Sequence, residues 1–153
     1  MTNSLRVYTD ASFKDGVSTH HWGVFDVNGK RIKRRSFKAC EEDSNKAELQ
    51  SINSAIQWLY KKDKQNVTIY TDSMYCVRLL AEHVKPSDSH LNISHKEKTD
   101  IDFLKFQMKG FNIQIKWVSR CTKKIKLADY YCGELMGTVL KRKEYDSLTT
   151  IQN

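Results

Sequence analysis

The chain has 153 residues, 39% hydrophobic and 10% aromatic, enough for one domain to bury a core without disulfides or a structural metal. Lys and Arg number 26 against 18 Asp and Glu, and the resulting +8 favours a polyanionic partner, nucleic acid before an acidic membrane surface. No run approaches the ~20 apolar residues of a membrane span, Met1-Thr2-Asn3-Ser4-Leu5-Arg6 holds no apolar signal core, and Cys40, Cys76, Cys121 and Cys132 lack zinc or C-x-x-C spacing, so a cytoplasmic protein with free thiols and no membrane association is expected.

Leu5, Val7, Thr9, Ala11 and Phe13 alternate with Arg6, Tyr8, Asp10 and Ser12, which predicts a half-buried strand. Lys14-Asp15-Gly16 reads as a tight turn. A second strand is expected over Trp22–Val27, then a type I′ turn at Asn28-Gly29. The third strand, Lys30–Phe37, is basic, as suits a sheet edge. Leu49, Ile52, Ile56 and Leu59 then follow helical spacing across Asn45–Tyr60, with Asp43, Ser44 or Asn45 as the cap. Gln65–Asp72 reads as a strand. Ser73–His83 reads as a helix with Val77, Leu80 and Ala81 inward, broken at Pro86. A further helix is expected over Thr99–Lys109, ended by Gly110. Phe111–Val118 reads as a strand with Ile113, Ile115 and Trp117 on one face. The last helix starts near Lys126 and carries Ala128, Tyr131, Cys132, Leu135 and Val139 inward. Trp22, Trp58 and Trp117 are expected in the core.

This order predicts an α/β fold: a five-stranded mixed sheet, three antiparallel strands and then parallel additions, flanked by helices. A single domain is expected over 1–143, with a frayed tail over 144–153.

One word occurs at two strand ends, Tyr8-Thr9-Asp10 and Tyr70-Thr71-Asp72. If the strands are neighbours, both carboxylates project near the same end of the sheet, where α/β proteins bind ligands. Adjacent carboxylates repel and need a cation or a shared proton. Asp72 has an alternative role as a helix cap. Asp10 sits inside a strand, where Asp is disfavoured. Glu48 lies four residues before Ile52, beside the apolar face of its helix, or else closes a capping box with Asn45. Asp129 follows Leu127-Ala128 in what reads as the first turn of the last helix, where the dipole favours an anion.

Tyr8-Thr9-Asp10-Ala11-Ser12, Asn45-Lys46-Ala47-Glu48-Leu49, Tyr70-Thr71-Asp72-Ser73 and Leu127-Ala128-Asp129 together resemble ribonuclease H, type 1, over nearly the whole chain. The resemblance implies a ribonuclease H-like fold and an endoribonuclease that cuts the RNA strand of RNA–DNA hybrids. It implies that Asp10, Glu48, Asp72 and Asp129 are the catalytic, metal-binding carboxylates. It also implies two Mg²⁺ ions, replaceable by Mn²⁺, and products with a 5′ phosphate and a 3′ hydroxyl. Asn45 resembles a family residue that contacts the hybrid. Ser12 and Ser73 neighbour the aspartates, and Lys46, Lys123, Lys124 and Lys126 are candidate phosphate contacts. A monomer is expected.

Two departures stand out. Many relatives carry a histidine between the last strand and the last helix; here Cys121 occupies that slot. Some relatives have an arginine nearby instead, which Arg120 resembles. The stretch His83–Lys98 has none of the tryptophan of the basic protrusion seen in some members. These departures motivate two rival readings: a nuclease of the same fold acting on DNA or single strands, and a weakly active or non-catalytic hybrid-binding module.

Overall fold

In the computed structural model, residues 4–81 and 94–137 are described. The chain opens with three strands, β1 (Leu5–Lys14), β2 (Val17–Phe25) and β3 (Arg31–Cys40). Asp15 and Gly16, with φ of 51° and 78°, close the first hairpin and set Lys14 opposite Val17. Paired positive φ angles suit a two-residue turn to the twist of its strands.

The second hairpin differs from the expected type I′ turn. Val27-Asn28-Gly29 form a three-residue loop in which Gly29 alone has positive φ, 82°. The Asp26 carboxylate accepts the N–H of Asn28 and of Lys30, each at 2.9 Å, and so closes the loop.

β2 begins at Val17, well before the expected Trp22. Ser18, Thr19, His20 and His21 are all buried yet polar, so they leave no hydrophobic alternation to read. Each is hydrogen-bonded instead, which burial requires.

Helix α1 (Ser44–Lys61) is capped by Asp43, whose carboxylate accepts the Lys46 N–H at 2.8 Å. That rules out the capping box between Asn45 and Glu48. Strand β4 (Val67–Thr71) leads to α2 (Met74–Leu80). Ser73 caps α2 by accepting the Cys76 N–H at 3.2 Å, a role Asp72 therefore does not have. The buried face of α2 is Cys76, Leu79 and Leu80, turned from the expected one, which leaves Val77 and Ala81 half-buried. Helix α3 (His95–Gly110) starts before Thr99 because Ser94 caps it, accepting the Glu97 N–H at 3.2 Å and donating its hydroxyl to the Glu97 carboxylate at 3.0 Å. Strand β5 (Ile113–Trp117) and helix α4 (Lys123–Met136) follow. Since α4 starts at Lys123, Asp129 stands in its second turn, beyond the reach of the dipole argument.

The sheet order is β3-β2-β1-β4-β5, antiparallel across β3-β2-β1 and parallel across β1-β4-β5, as expected. Ile52, Ala55, Ile56 and Leu59 of α1 join one buried cluster with Leu5, Val7, Trp22, Val24, Val67 and Ile69 of the sheet. Full burial of each large aliphatic side chain there stabilises the fold by about 1.5–3 kcal/mol. Helix α4 covers part of the other face. There Thr19 donates to the Cys132 carbonyl at 2.9 Å, and the His21 ring stacks on Tyr131 at 4.6 Å.

Trp22 is in the core and Trp58 half-buried, but Trp117, expected inside, is 49% exposed at the end of edge strand β5. All four cysteines are free. Among the described residues, no helix is long and apolar enough to cross a membrane. The break at Pro86, Val139 and the tail 144–153 lie outside the described residues.

Candidate active site

β1 and β4 run parallel and in register as far as Tyr8 and Tyr70, whose rings stack at 4.9 Å. Asp10 and Asp72 therefore stand at equivalent positions just beyond the last register pair. Here the strands part, and α1 brings Glu48 over the gap. Carboxylate oxygens of Asp10, Glu48 and Asp72 all lie within 4.8 Å of one another. They line a cleft of about 670 Å³ with Asn45, Ser73, Arg120 and Asp129.

The electrostatics follow from depth. Asp10 is 5% exposed, and burial first, then the charges of Glu48, Asp72 and Asp129, hold its carboxyl well above the usual range. Burial, with Asp72 next, pushes Glu48 up to about 8, against the Ala11 N–H and a hydrogen bond with Asp10. Burial also raises Asp72, while Arg120, with Nε 3.9 Å from Asp72 Oδ2, draws it back down. Without a cation, this group holds protons to relieve its own repulsion. Glu48 Oε2 is buried with no hydrogen-bond partner among the described residues. An orphaned carboxylate oxygen beside two other hard oxygen donors fits a divalent cation of the Mg²⁺ or Mn²⁺ kind.

Asp129 is separate from that tight group. It is exposed on α4, lines the same cleft, and acts on Asp10 and Glu48 as a neighbouring charge. Of the expected nucleic-acid contacts, Asn45, Ser73 and Arg120 line the cleft, as does Lys126. Ser12 is half-buried on β1 opposite Thr19. Lys46 turns to Glu42 and Glu97 and lines a neighbouring groove. Lys123 is exposed at the start of α4. Lys124 lies over the rings of Tyr8, at 5.9 Å, and Phe25, at 5.0 Å.

The cleft also holds residues that sequence reasoning passed over: Ser44, Met74 and Tyr75. Trp117, which does not itself line the cleft, donates its indole N–H to the Asp72 carbonyl at 3.2 Å. The exposed Cys121 thiol lines the cleft. Among the described histidines, His20 and His21 are buried in β2 and His95 opens α3, so none lines the cleft.

The model of the RNase H family matches residues 2–122, a span that includes Asp10, Glu48 and Asp72 and stops short of Asp129. No curated protein matches the sequence. Among solved structures, LC11-RNase H1, isolated from compost by a metagenomic approach, is similar at 18% identity. Its TM-score is 0.68, over 87% of this chain and 95% of that one. RNase H1 of the halophilic archaeon Halobacterium salinarum NRC-1 is 15% identical with a TM-score of 0.66, over 88% and 98%. The protease–reverse transcriptase of prototype foamy virus is 15% identical with a TM-score of 0.69, over 92% of this chain and 21% of that one. LC11-RNase H1 has also been solved in complex with an RNA/DNA hybrid. At these identities the likeness is one of fold.

Proposed function

The chain belongs to the RNase H family, and on that premise we propose that it is a metal-dependent endoribonuclease that hydrolyses the RNA strand of an RNA–DNA hybrid, leaving a 5′ phosphate and a 3′ hydroxyl. The observation that carries this reading is the convergence of Asp10, Glu48 and Asp72, with a partnerless buried oxygen on Glu48, in an open cleft. The hybrid complex of LC11-RNase H1 supports the substrate class.

Asp10, Glu48 and Asp72 would hold two Mg²⁺ ions, Asp129 completing one side from α4. Bound there, the ions would supply an activated water and neutralise charge on the leaving 3′ oxygen. The protein's own part is largely electrostatic. To hold a cation, Asp10 and Glu48 would have to give up their protons, which would tie occupancy of the site to pH. Arg120 offsets the charge of Asp72 and presents a guanidinium to the approaching phosphate. Asn45 and Ser73, on the cleft wall, supply neutral hydrogen-bonding groups to a hybrid lying across the cleft. Recognition of this kind rests on groove shape and the 2′ hydroxyl and not on base sequence.

The test is incubation of the purified protein with an end-labelled hybrid in Mg²⁺ or Mn²⁺. The expected result is cleavage of the RNA strand alone, abolished by Asp10→Asn. An intact hybrid, or equal cleavage by Asp10→Asn, would overturn the reading. Cleavage of duplex DNA or single strands in preference to the hybrid would assign the cleft to a different nucleic acid.

A further inference from the structure

Ser18, His20 and Ser51 have no part in the chemistry above, yet all three are 0% exposed and form an unbroken series. Ser18 Oγ lies 2.6 Å from His20 Nε2, and His20 Nδ1 lies 2.7 Å from Ser51 Oγ. Ser51 Oγ then donates to the backbone carbonyl of Asp10 at 3.0 Å. The His20 ring is held flat against Phe37, centroids 4.5 Å apart.

Counting protons fixes the direction of the series. A serine hydroxyl carries one proton, and a neutral imidazole carries one N–H. The Asp10 carbonyl can only accept, so the Ser51 proton points there. His20 Nδ1 must then donate to Ser51. Nε2 is left as an acceptor. Ser18 turns its proton to it, in preference to the Ala39 carbonyl at 3.2 Å. Burial lowers the imidazole to about 4, so the ring carries a single proton at neutral pH.

The end of the series is the informative part. The register of β1 with β4 stops at Tyr8, so the Asp10 carbonyl, just beyond it, takes its partners from helices. Ser51 approaches from α1 and Cys132 Sγ from α4, the latter at 3.4 Å, one donor for each lone pair.

We propose that Ser18, His20 and Ser51 form a one-way hydrogen-bond relay that, with Cys132, pins the Asp10 peptide and so aims the Asp10 carboxylate at Glu48 and Asp72. They are positioning residues for the divalent-cation site, and the inference rests on that reading of the carboxylates. Such supporting groups matter because ligand geometry must hold to within about 0.5 Å.

The first measurement needs no variant. Heteronuclear NMR of the imidazole nitrogens in the full chain is expected to show His20 neutral and protonated on Nδ1 between about pH 5 and 8. A proton on Nε2 would turn the Ser51 hydroxyl away from Asp10 and overturn the relay. The second measurement is calorimetric titration with Mn²⁺. Ser51→Ala is expected to bind the metal about 10–100-fold more weakly, and Ser51→Thr, which keeps the hydroxyl, within a few-fold of wild type. If Ser51→Ala melts earlier yet binds Mn²⁺ as wild type does, its role is structural only and the proposal fails. If wild type itself binds no metal, the reading of the carboxylates fails and this inference falls with it. The tautomer decides the relay even if Ser51→Ala does not fold.

Discussion

Tyr8-Thr9-Asp10 and Tyr70-Thr71-Asp72 start from one register pair, Tyr8 opposite Tyr70, and the two aspartates nonetheless end in different surroundings. β1 is the middle strand and runs on past Asp10 to Lys14, paired with β2 throughout. Asp10 is sealed between α1 and α4, 5% exposed, its own carbonyl held from both helices. β4 stops at Thr71, so Asp72 leaves the strand beside the exposed Arg120 and the half-exposed Trp117. The same tripeptide therefore makes a deep carboxyl whose charge a proton or a metal ion must relieve and a shallower one that a side chain already offsets. Local sequence sets the carboxylate; strand length and cover set its proton affinity.

The comparison can be broken most directly by neutralising each aspartate in turn. Asp10→Asn is expected to lower hybrid cleavage at least ~10³-fold, the equivalent of about 4 kcal/mol of transition-state stabilisation. The same change should raise the melting temperature of the metal-free protein, because it removes a carboxyl that folding forces to take up a proton or to stay charged among other carboxylates. Asp72→Asn should also impair cleavage but raise the melting temperature less, since Asp72 is shallower and its carboxyl less strongly raised than that of Asp10. Equal thermal shifts in a calorimeter would mean that depth does not separate the two sites.

The next effect in size is the pH dependence. Asp10 and Glu48 are raised in the folded state, so between about pH 4.5, the ordinary range of the unfolded carboxyl, and about 8 the folded protein binds more protons than the unfolded one. Stability of the metal-free protein is then greatest below that window and falls as pH rises through it. Mg²⁺ should offset the loss, and more strongly at higher pH. Melting curves against pH check this: Glu48→Gln should flatten the slope, and a metal-free protein that gains stability from pH 5 to 8 would contradict the assignment.

Repeated and periodic features were legible. The doubled Tyr-Thr-Asp marked two of the three converging carboxylates, and the place of Glu48 beside Ile52 marked the third. The alternation of β1 and the helical spacing of α1 were equally plain. Buried polar residues were not: Ser18 to His21 satisfy one another and distant partners, which hides the start of β2 from any hydrophobic pattern. The start of α4 was hidden because Thr122 makes no side-chain cap bond and Lys123-Lys124 read as loop, which misplaced Asp129 by a turn. Lys124 reads as a phosphate contact in sequence, yet its position over Tyr8 and Phe25 depends on a tertiary approach that no local pattern encodes. Trp117 alternates correctly, but alternation does not reveal that the end of an edge strand lacks cover.

Arg120 and Trp117 sharpen the comparison at its shallow end. Arg120 is exposed and 3.9 Å from Asp72, so water and salt screen the pair. Arg120→Ala should leave the melting temperature nearly unchanged. It should weaken hybrid binding a few-fold and reduce the slope of log affinity against log salt by about 1, as loss of one phosphate contact does. Unchanged salt dependence would remove Arg120 from the nucleic-acid surface.

Trp117→Phe is the mildest change. It keeps an aromatic ring on β5 and deletes only the indole N–H that reaches the Asp72 carbonyl. At a half-exposed position water can take over that carbonyl, so the loss should fall near or below the usual ~0.5–1.5 kcal/mol of a hydrogen bond. Cleavage at saturating Mg²⁺ should stay within about threefold of wild type, since the Asp72 carboxylate keeps its other constraints: Ser73 N–H bonds Thr71 Oγ1 at 3.0 Å, and Val118 N–H bonds the Thr71 carbonyl at 2.9 Å. A loss as large as that of Asp72→Asn would mean that the shallow aspartate depends on its backbone support as much as the deep one does, and the contrast between the two strand ends would collapse.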